Sequence, residues 1–211
     1  TYDMKASTNS IPLEVSTNVR ALILSLYFGG AVDVHLAKSV ATAELDGPLE
    51  ARLRGTKDTL GTAKLTVDFD GAALSDGKPS AETLLHTALY RRFADLGAVL
   101  HCHSATATIL SRLHASDGKI TLRDYELLKA FPNIDSHATS VDIPIFANTQ
   151  DIAELAIEVD QYLQEYPTCP GYLIEGHGLY CWGQTLNDCL RHLEALEFML
   201  DCELEMHRLR H

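Results

Sequence analysis

The sequence lacks the features that would place the chain in a membrane or on a nucleic acid. No stretch approaches the ~18–20 consecutive apolar residues of a membrane-spanning helix, and the best apolar run, residues 21–28, lacks the flanks of a signal peptide. Basic residues are few: 17 Lys and Arg against 29 Asp and Glu give a formal charge of −12. Because phosphate groups repel an acidic surface, this balance argues against a nucleic-acid or anionic-membrane partner.

Several common motifs are also absent. The five cysteines form no C-x-x-C pair and are spread over 211 residues, a chain too long to need disulfides. We therefore expect reduced thiols and a cytoplasmic protein. The sequence has no Gly-rich phosphate loop, no G-x-S-x-G nucleophile motif and no H-E-x-x-H zinc motif.

What is present is ordinary globular composition, with 46% hydrophobic and 22% charged residues. There is no internal repeat or low-complexity linker, so we expect residues 1–211 to form a single domain, with residues 1–60 the least readable. Predicted strands and helices interleave, which indicates an α/β or α+β class with helices covering a sheet.

The apolar patterns place most elements after residue 60. Residues 19–28 fit either a helix or a buried strand, because short apolar runs do not discriminate. Serines are expected to cap two of the helices, Ser80 before an apolar stripe at residues 84–89 and Ser104 before a helix ending near Leu113. We predict strands near residues 65–69, 97–103, 141–146, 172–175 and 178–182, and further helices at 124–131, 151–163 and 186–207.

His101 and His103 lie two apart in a predicted strand. Side chains alternate along a strand, so both imidazoles project from one face and Cys102 points the opposite way. Two histidine nitrogens are half of a zinc-type site. The alternative is one buried and one exposed histidine near a strand end.

His177 lies between two glycines at the junction of two predicted strands. The glycines allow the backbone to kink and another group to approach closely, which suits a third metal ligand. A turn histidine satisfied by the backbone is the alternative. Three protein ligands would leave one zinc position open, as in catalytic sites.

Two carboxylates are candidates for proton transfer or substrate contact. Glu126 stands among apolar neighbours at the start of a short helix, where it would act as a general acid or base if buried near a metal. A solvated helix-face glutamate is the alternative. Glu82 falls in a first helical turn, a position that the helix dipole alone favours for glutamate. We expect structural or surface roles for the remaining helical histidines, His86, His114, His192 and His207, and leave His137 open.

Six segments, taken in order, carry a resemblance to a known family. They are KPSAET (78–83), AVLHCHS (98–104), YELLKAF (125–131), IPIF (143–146), GHGLYCWG (176–183) and EALEF (194–198). Over about residues 64–206 the chain resembles the class II aldolase/adducin superfamily, and within it the bacterial dehydratases of methionine salvage.

The resemblance implies a three-layer α/β/α fold around a mainly antiparallel sheet, assembled as a homotetramer with sites near subunit interfaces. It implies one zinc ion per subunit on His101, His103 and His177, an acid/base role for Glu126, and a substrate-facing Glu82. The implied reaction is the dehydration of 5-methylthioribulose 1-phosphate to a 2,3-diketo-5-methylthiopentyl 1-phosphate. The alternatives are a metal-dependent sugar-phosphate aldolase or epimerase and a non-catalytic adducin-like scaffold.

The chain departs from the family around the phosphate. The family's Ser-Gly-Asn loop is absent from the corresponding residues 27–35, a second family Ser-Gly falls at Arg54-Gly55, and Glu175 stands where the dehydratases commonly have arginine. Fewer donors and a reversed charge predict weaker phosphate binding unless Arg52, Arg54 or Lys57 compensates. Three imidazoles would also accept Co, Ni, Fe or Mn.

Overall fold

The computed structural model describes residues 13–17, 67–74 and 78–210; for residues 13–17 it describes the backbone of one strand. Several predictions fall outside these residues. They concern the helix or buried strand at 19–28, the phosphate-loop region at 27–35, and the basic residues Arg52, Arg54 and Lys57.

Six strands of the described residues form one sheet in the order β1-β2-β6-β5-β4-β3. Neighbouring strands are antiparallel except for the parallel pair of β4 and β5. The predicted mainly antiparallel sheet is therefore confirmed. The strands are β1 (Leu13–Thr17), β2 (Ala98–Cys102), β3 (Lys119–Arg123), β4 (Ser140–Phe146), β5 (Gly171–Ile174) and β6 (Gly178–Gly183).

Helices cover both faces of this sheet. On one face, Tyr180 of β6 meets the edge of His86 from the first helix, with ring centroids 5.4 Å apart. On the opposite face, Cys181 of β6 contacts Cys189 of the last helix, Sγ to Sγ 4.0 Å. This is the expected three-layer α/β/α arrangement. The helices are α1 (Thr83–Arg92), α2 (Ala105–Leu113), α3 (Ile152–Glu165) and α4 (Leu186–Arg210), with short 3-10 helices at Ala115–Asp117 and Glu126–Ala130.

Three helix starts have a side-chain cap, one of them at α4, where the Thr185 hydroxyl accepts from the Asp188 backbone N–H at 3.1 Å. Ser104 accepts a hydrogen bond from the Ala107 backbone N–H at 3.0 Å, so the predicted cap of α2 is confirmed. Asp151 does the same for Glu154 N–H at 3.0 Å in front of α3. The Ser104 cap matters for function because α2 follows directly after the His101-Cys102-His103 segment.

Two local predictions are wrong. Helix α1 begins at Thr83, and the Ser80 hydroxyl accepts from the Glu82 N–H at 3.2 Å, closing a turn ahead of the helix instead of capping it. The strand expected at 65–69 is reduced, within the described residues 67–74, to a single bridge between Val67 and Ala73. The Asp68 carboxylate accepts from the backbone N–H groups of Asp70 and Ala72, which favours a turn over an extended run.

Among the described residues no helix combines the length and the apolar character needed to cross a membrane.

Candidate metal centre

Three histidine rings and one carboxylate converge at one end of β2 and β6. The Nε2 atom of His103 lies 2.7 Å from Nε2 of His101 and 2.9 Å from Nε2 of His177. A carboxylate oxygen of Glu82 lies 2.9 Å from the same His177 nitrogen. The four ligand atoms are all within 4.8 Å of one another. The structure thus brings all three predicted ligands together and adds Glu82 to them.

The β2–β6 pairing fixes the orientation of His101. Its Nδ1 lies 2.9 Å from the Leu179 carbonyl oxygen, which can only accept, so Nδ1 carries the hydrogen and Nε2 presents a lone pair to the cluster. The ring also stacks on Tyr180 with centroids 4.0 Å apart. His103 follows the last residue of β2, and its ring returns to the same face as His101, as the strand period predicts.

His177 reaches the cluster from the tight turn between β5 and β6. Gly176 has a φ of +63°, in the left-handed region that favours glycine. Gly178 allows a close approach: a Cβ there would lie 2.3 Å from the Cys102 carbonyl oxygen and 2.9 Å from Cε1 of His101. The two glycines that flank His177 therefore have separate tasks, one for the turn and one for the contact with β2.

Electrostatics favour metal-binding forms of the ligands. Burial holds the pKa of His101 well below its usual value, although the Glu82 charge acts in the opposite direction. Burial, followed by the effect of His177, also lowers the pKa of His103. Neutral imidazoles are the form that ligates metals. Three imidazoles beside one buried carboxylate fit a divalent ion of the zinc type.

Glu126 lies elsewhere. It begins the second 3-10 helix, its side chain is 69% exposed, and it forms an ion pair with Lys129. Its other oxygen lies 3.5 Å from Nδ1 of His137. Lys129 holds the pKa of Glu126 below its usual range. Within a single chain, the structure therefore does not bring Glu126 to the histidine cluster.

Other histidines occupy structural positions. His86 is fully buried on α1, and burial lowers its pKa to about 4. His192 on α4 lies with Nδ1 2.7 Å from the Trp182 carbonyl oxygen, and His114 with Nδ1 2.9 Å from an Asp117 carboxylate oxygen.

Sequence reasoning missed the groups that hold the ligands in place. Tyr180 stacks on His101, and the Thr108 hydroxyl donates to the His177 carbonyl oxygen at 3.1 Å. Ser111, one turn further along α2, accepts from the Gly176 N–H at 3.0 Å. Strand alternation could have found Tyr180 if the β2–β6 register had been known, because Tyr180 is paired with His101 and their side chains therefore share one face of the sheet.

The segment that precedes His177 opens on a cleft. Glu175, Gly176, Arg112, Ala147 and Asn148 line this cleft, whose volume is about 400 Å³. Glu175 stands at the position where the resemblance leads one to expect arginine, and the structure places Arg112 of α2 at the same cleft. Another element therefore contributes a positive side chain to the cleft that Glu175 lines.

Comparison with known proteins agrees with this geometry. The family model for the class II aldolase and adducin N-terminal domain matches residues 59–204. The chain belongs to the class II aldolase and adducin family. That match contains the four cluster residues and Glu126. A second model, described as Lsa36-like, matches residues 1–84, which is less than half of the chain.

Curated relatives within this family are close. Methylthioribulose-1-phosphate dehydratase of Xanthomonas euvesicatoria pv. vesicatoria is 56% identical over 147 residues, which are 69% of this chain and 67% of that protein. The enzyme of the same name from Xylella fastidiosa strain M12 is 55% identical over 147 residues, with the same coverage. The resemblance inferred from the six segments is therefore confirmed.

Solved structures support the fold. An L-fuculose 1-phosphate aldolase superimposes with a TM-score of 0.55 at 19% identity, covering 69% of this chain and 62% of that one. At this identity the likeness concerns the fold alone, and it confirms the class II aldolase architecture.

Proposed function

We propose that the protein is a metal-dependent hydro-lyase that removes water from 5-methylthioribulose 1-phosphate and yields a 2,3-diketo-5-methylthiopentyl 1-phosphate. The observation that carries this proposal is the cluster of His101, His103, His177 and Glu82 in a chain 56% identical to a methylthioribulose-1-phosphate dehydratase. The reaction needs charge stabilisation beside a carbonyl and one group that moves a proton.

His101, His103 and His177 would hold the metal through their Nε2 atoms. When bound, the ion supplies positive charge that stabilises the oxygen charge developing as the C3 proton leaves. Leu179 and Tyr180 keep the His101 ring in place by a hydrogen bond and a stacking contact. Glu82, 5% exposed and next to His177, would face the substrate.

The ionised Glu126 carboxylate would accept the C3 proton and return it to the C4 hydroxyl, which departs as water. Because Glu126 is exposed and lies outside the cluster of its own chain, we propose that it acts at the cluster of an adjacent copy. This arrangement fits the proposed homotetramer with sites at subunit interfaces. Lys129 and His137 lie beside Glu126 and would hold its carboxylate in the ionised form between turnovers.

A pair of variants tests this assignment. His103→Ala should lose most of the bound metal, whereas Glu126→Gln should keep the metal and lose about 10²–10⁴-fold in turnover, the usual value of a general acid or base. Each variant alone should be inactive. Mixed oligomers of the two should regain activity, because one chain supplies the histidines and its neighbour supplies Glu126.

Two results would contradict the assignment. Full activity in Glu126→Gln would remove this residue from the mechanism. Inactive mixed oligomers, with mixing verified by mass, would show that sites are not shared between copies.

An aldolase or epimerase is the second candidate, and the position of Glu82 favours it. The resemblance places an active-site glutamate of the sugar-phosphate aldolases here, and the structure puts this carboxylate 2.9 Å from His177 Nε2. The products discriminate the two reactions. Retro-aldol cleavage releases an aldehyde and dihydroxyacetone phosphate, whereas dehydration gives a single product lighter by one water. The complete histidine cluster argues against a non-catalytic scaffold.

Three further assignments complete the proposal. Zinc is the metal, since three imidazoles with a position left open are typical of catalytic zinc. The cytoplasm is the location, because the five cysteines are all free thiols. The chain is a single domain, since β1 adds residues 13–17 to the sheet that carries the metal ligands.

A further inference from the structure

A half-buried carboxylate on α4, that of Glu197, contacts the segment that carries His101 and His103 from the side opposite the histidine cluster. One oxygen of Glu197 lies 2.9 Å from the Ser104 hydroxyl and 3.5 Å from the Cys102 thiol sulfur. These two residues flank His103 in the sequence. Since side chains alternate, Cys102 points away from the metal while His101 and His103 point toward it.

His103 needs such a support. Strand β2 ends at Cys102, where the paired residue on β6 is Leu179, so His103 stands beyond the strand ladder. The next residue held by hydrogen bonds is Ser104, the N-cap of α2, whose hydroxyl oxygen also accepts from the Ala107 N–H. A carboxylate held by both neighbours of His103 would leave its backbone little freedom to move.

Helix α2 also holds the turn that carries His177, another of the three predicted ligands. Thr108 donates to the His177 carbonyl oxygen at 3.1 Å, and Ser111 accepts from the Gly176 N–H at 3.0 Å. Because Ser104 is the cap of α2, its contact with Glu197 fixes the start of the helix that carries Thr108 and Ser111. One carboxylate is thus linked to two of the three histidines without touching either.

We propose that Glu197 is a positioning residue for the metal centre, acting on His103 through Cys102 and Ser104. The inference rests on the metal site of the proposed function. Groups that orient metal ligands from outside the coordination sphere typically contribute about 10–100-fold in metal affinity.

Metal affinity of the full-length protein measures this role without any substrate. Glu197→Leu removes the accepting oxygen at similar volume and should weaken zinc binding by about tenfold or more, measured by competition with a chromophoric chelator. Glu197→Gln retains an accepting oxygen and should bind zinc close to the wild-type level. The visible absorption of the cobalt-substituted protein should change in the leucine variant and stay unchanged in the glutamine variant.

Asp201→Leu is the matched control. Asp201 lies one turn further along α4 and accepts from the Thr106 hydroxyl on the same helix α2, but it contacts neither neighbour of His103. It should leave zinc affinity and the cobalt spectrum unchanged. If Glu197→Leu does not fold, Ser104→Gly replaces it. Glycine is a tolerated N-cap, so α2 keeps its start, while Glu197 loses the hydroxyl donor and keeps only the longer contact with the Cys102 thiol.

The outcomes separate the two proposals. Wild-type affinity in Glu197→Leu or Ser104→Gly, or equal losses in the leucine and glutamine variants, would overturn the positioning role and leave the metal centre intact. A wild-type protein that binds no divalent metal at all would overturn the metal centre itself, and the positioning role with it.

Discussion

Gly178→Ala tests how closely the strands must approach to build the site. The added Cβ would lie 2.3 Å from the Cys102 carbonyl oxygen, 2.9 Å from His101 Cε1 and 3.1 Å from His103 Cδ2. Ordinary contacts begin near 3.4 Å, so the backbone of β2 must move by about 1 Å. Overpacking of this kind costs about 1–3 kcal/mol of folding free energy.

The effect on metal binding should be larger than the effect on stability. His101 and His103 would move with β2 while His177 stays with the turn before Gly178. Metal–ligand distances tolerate deviations of only about 0.2 Å, so we expect zinc affinity to fall by at least about 100-fold. Chelator competition measures the affinity, and urea unfolding in chelator measures the stability of the metal-free chain.

Gly183→Ala is the control, since its Cβ would lie 2.5 Å from the Cys189 backbone nitrogen and 2.9 Å from Asp188 Cβ, at the end of β6 away from the histidine cluster. It should lose comparable stability while its zinc affinity stays near the wild-type value. Wild-type zinc affinity in Gly178→Ala, or equal affinity losses in both variants, would refute the reasoning that this close approach builds the site.

Three stability predictions follow from single contacts. Because burial lowers the folded pKa of His86 from 6.5 to about 4, the unfolded chain takes up its proton first as pH falls, and stability is lost through this window. Between about pH 7.5 and pH 5 the free energy of unfolding should fall by about 2 kcal/mol for this reason. This loss should be missing in His86→Gln when urea unfolding is measured in chelator across the same pH range. Identical pH dependence in the wild type and the variant would contradict the prediction. Asp151→Ala removes the side-chain cap of α3 and should lower the free energy of unfolding by about 1 kcal/mol in urea. Chelator competition should show no change in metal affinity. Arg92→Ala breaks the paired contacts to Asp160 at 2.5 and 2.7 Å and should cost about 1 kcal/mol or less, a difference that shrinks in high salt; an unfolding difference insensitive to salt would contradict an ionic origin.

Local rules were enough to predict most of the scaffold that carries the ligands. The strand period placed His101 and His103 on one face, and the Ser104 cap fixed the start of α2. The glycines around His177 indicated both a turn and a close approach, and the structure shows one of each.

The remaining features depend on contacts between distant parts of the chain. The dipole argument placed Glu82 in a first helical turn, but the structure has it at the N-cap, one residue before α1 begins. Its place in the cluster depends on how α1 packs over β6. Ser80 fits the cap pattern, but its hydroxyl closes the preceding turn. The sequence pattern around Glu126 fitted a solvated helix-face glutamate, and only the resemblance gave this residue an acid/base role. Within one chain it is exposed, and where it acts is a question of assembly.

The most direct test of the account is to measure metal content and turnover on the same purified sample, with 5-methylthioribulose 1-phosphate as substrate. We predict about one divalent ion per chain and the release of one water molecule per substrate converted. Treatment with chelator should remove both the ion and the activity, and added zinc should restore both. Turnover that persists in the fully metal-free protein, or a loaded protein that converts none of this substrate, would contradict the central claim.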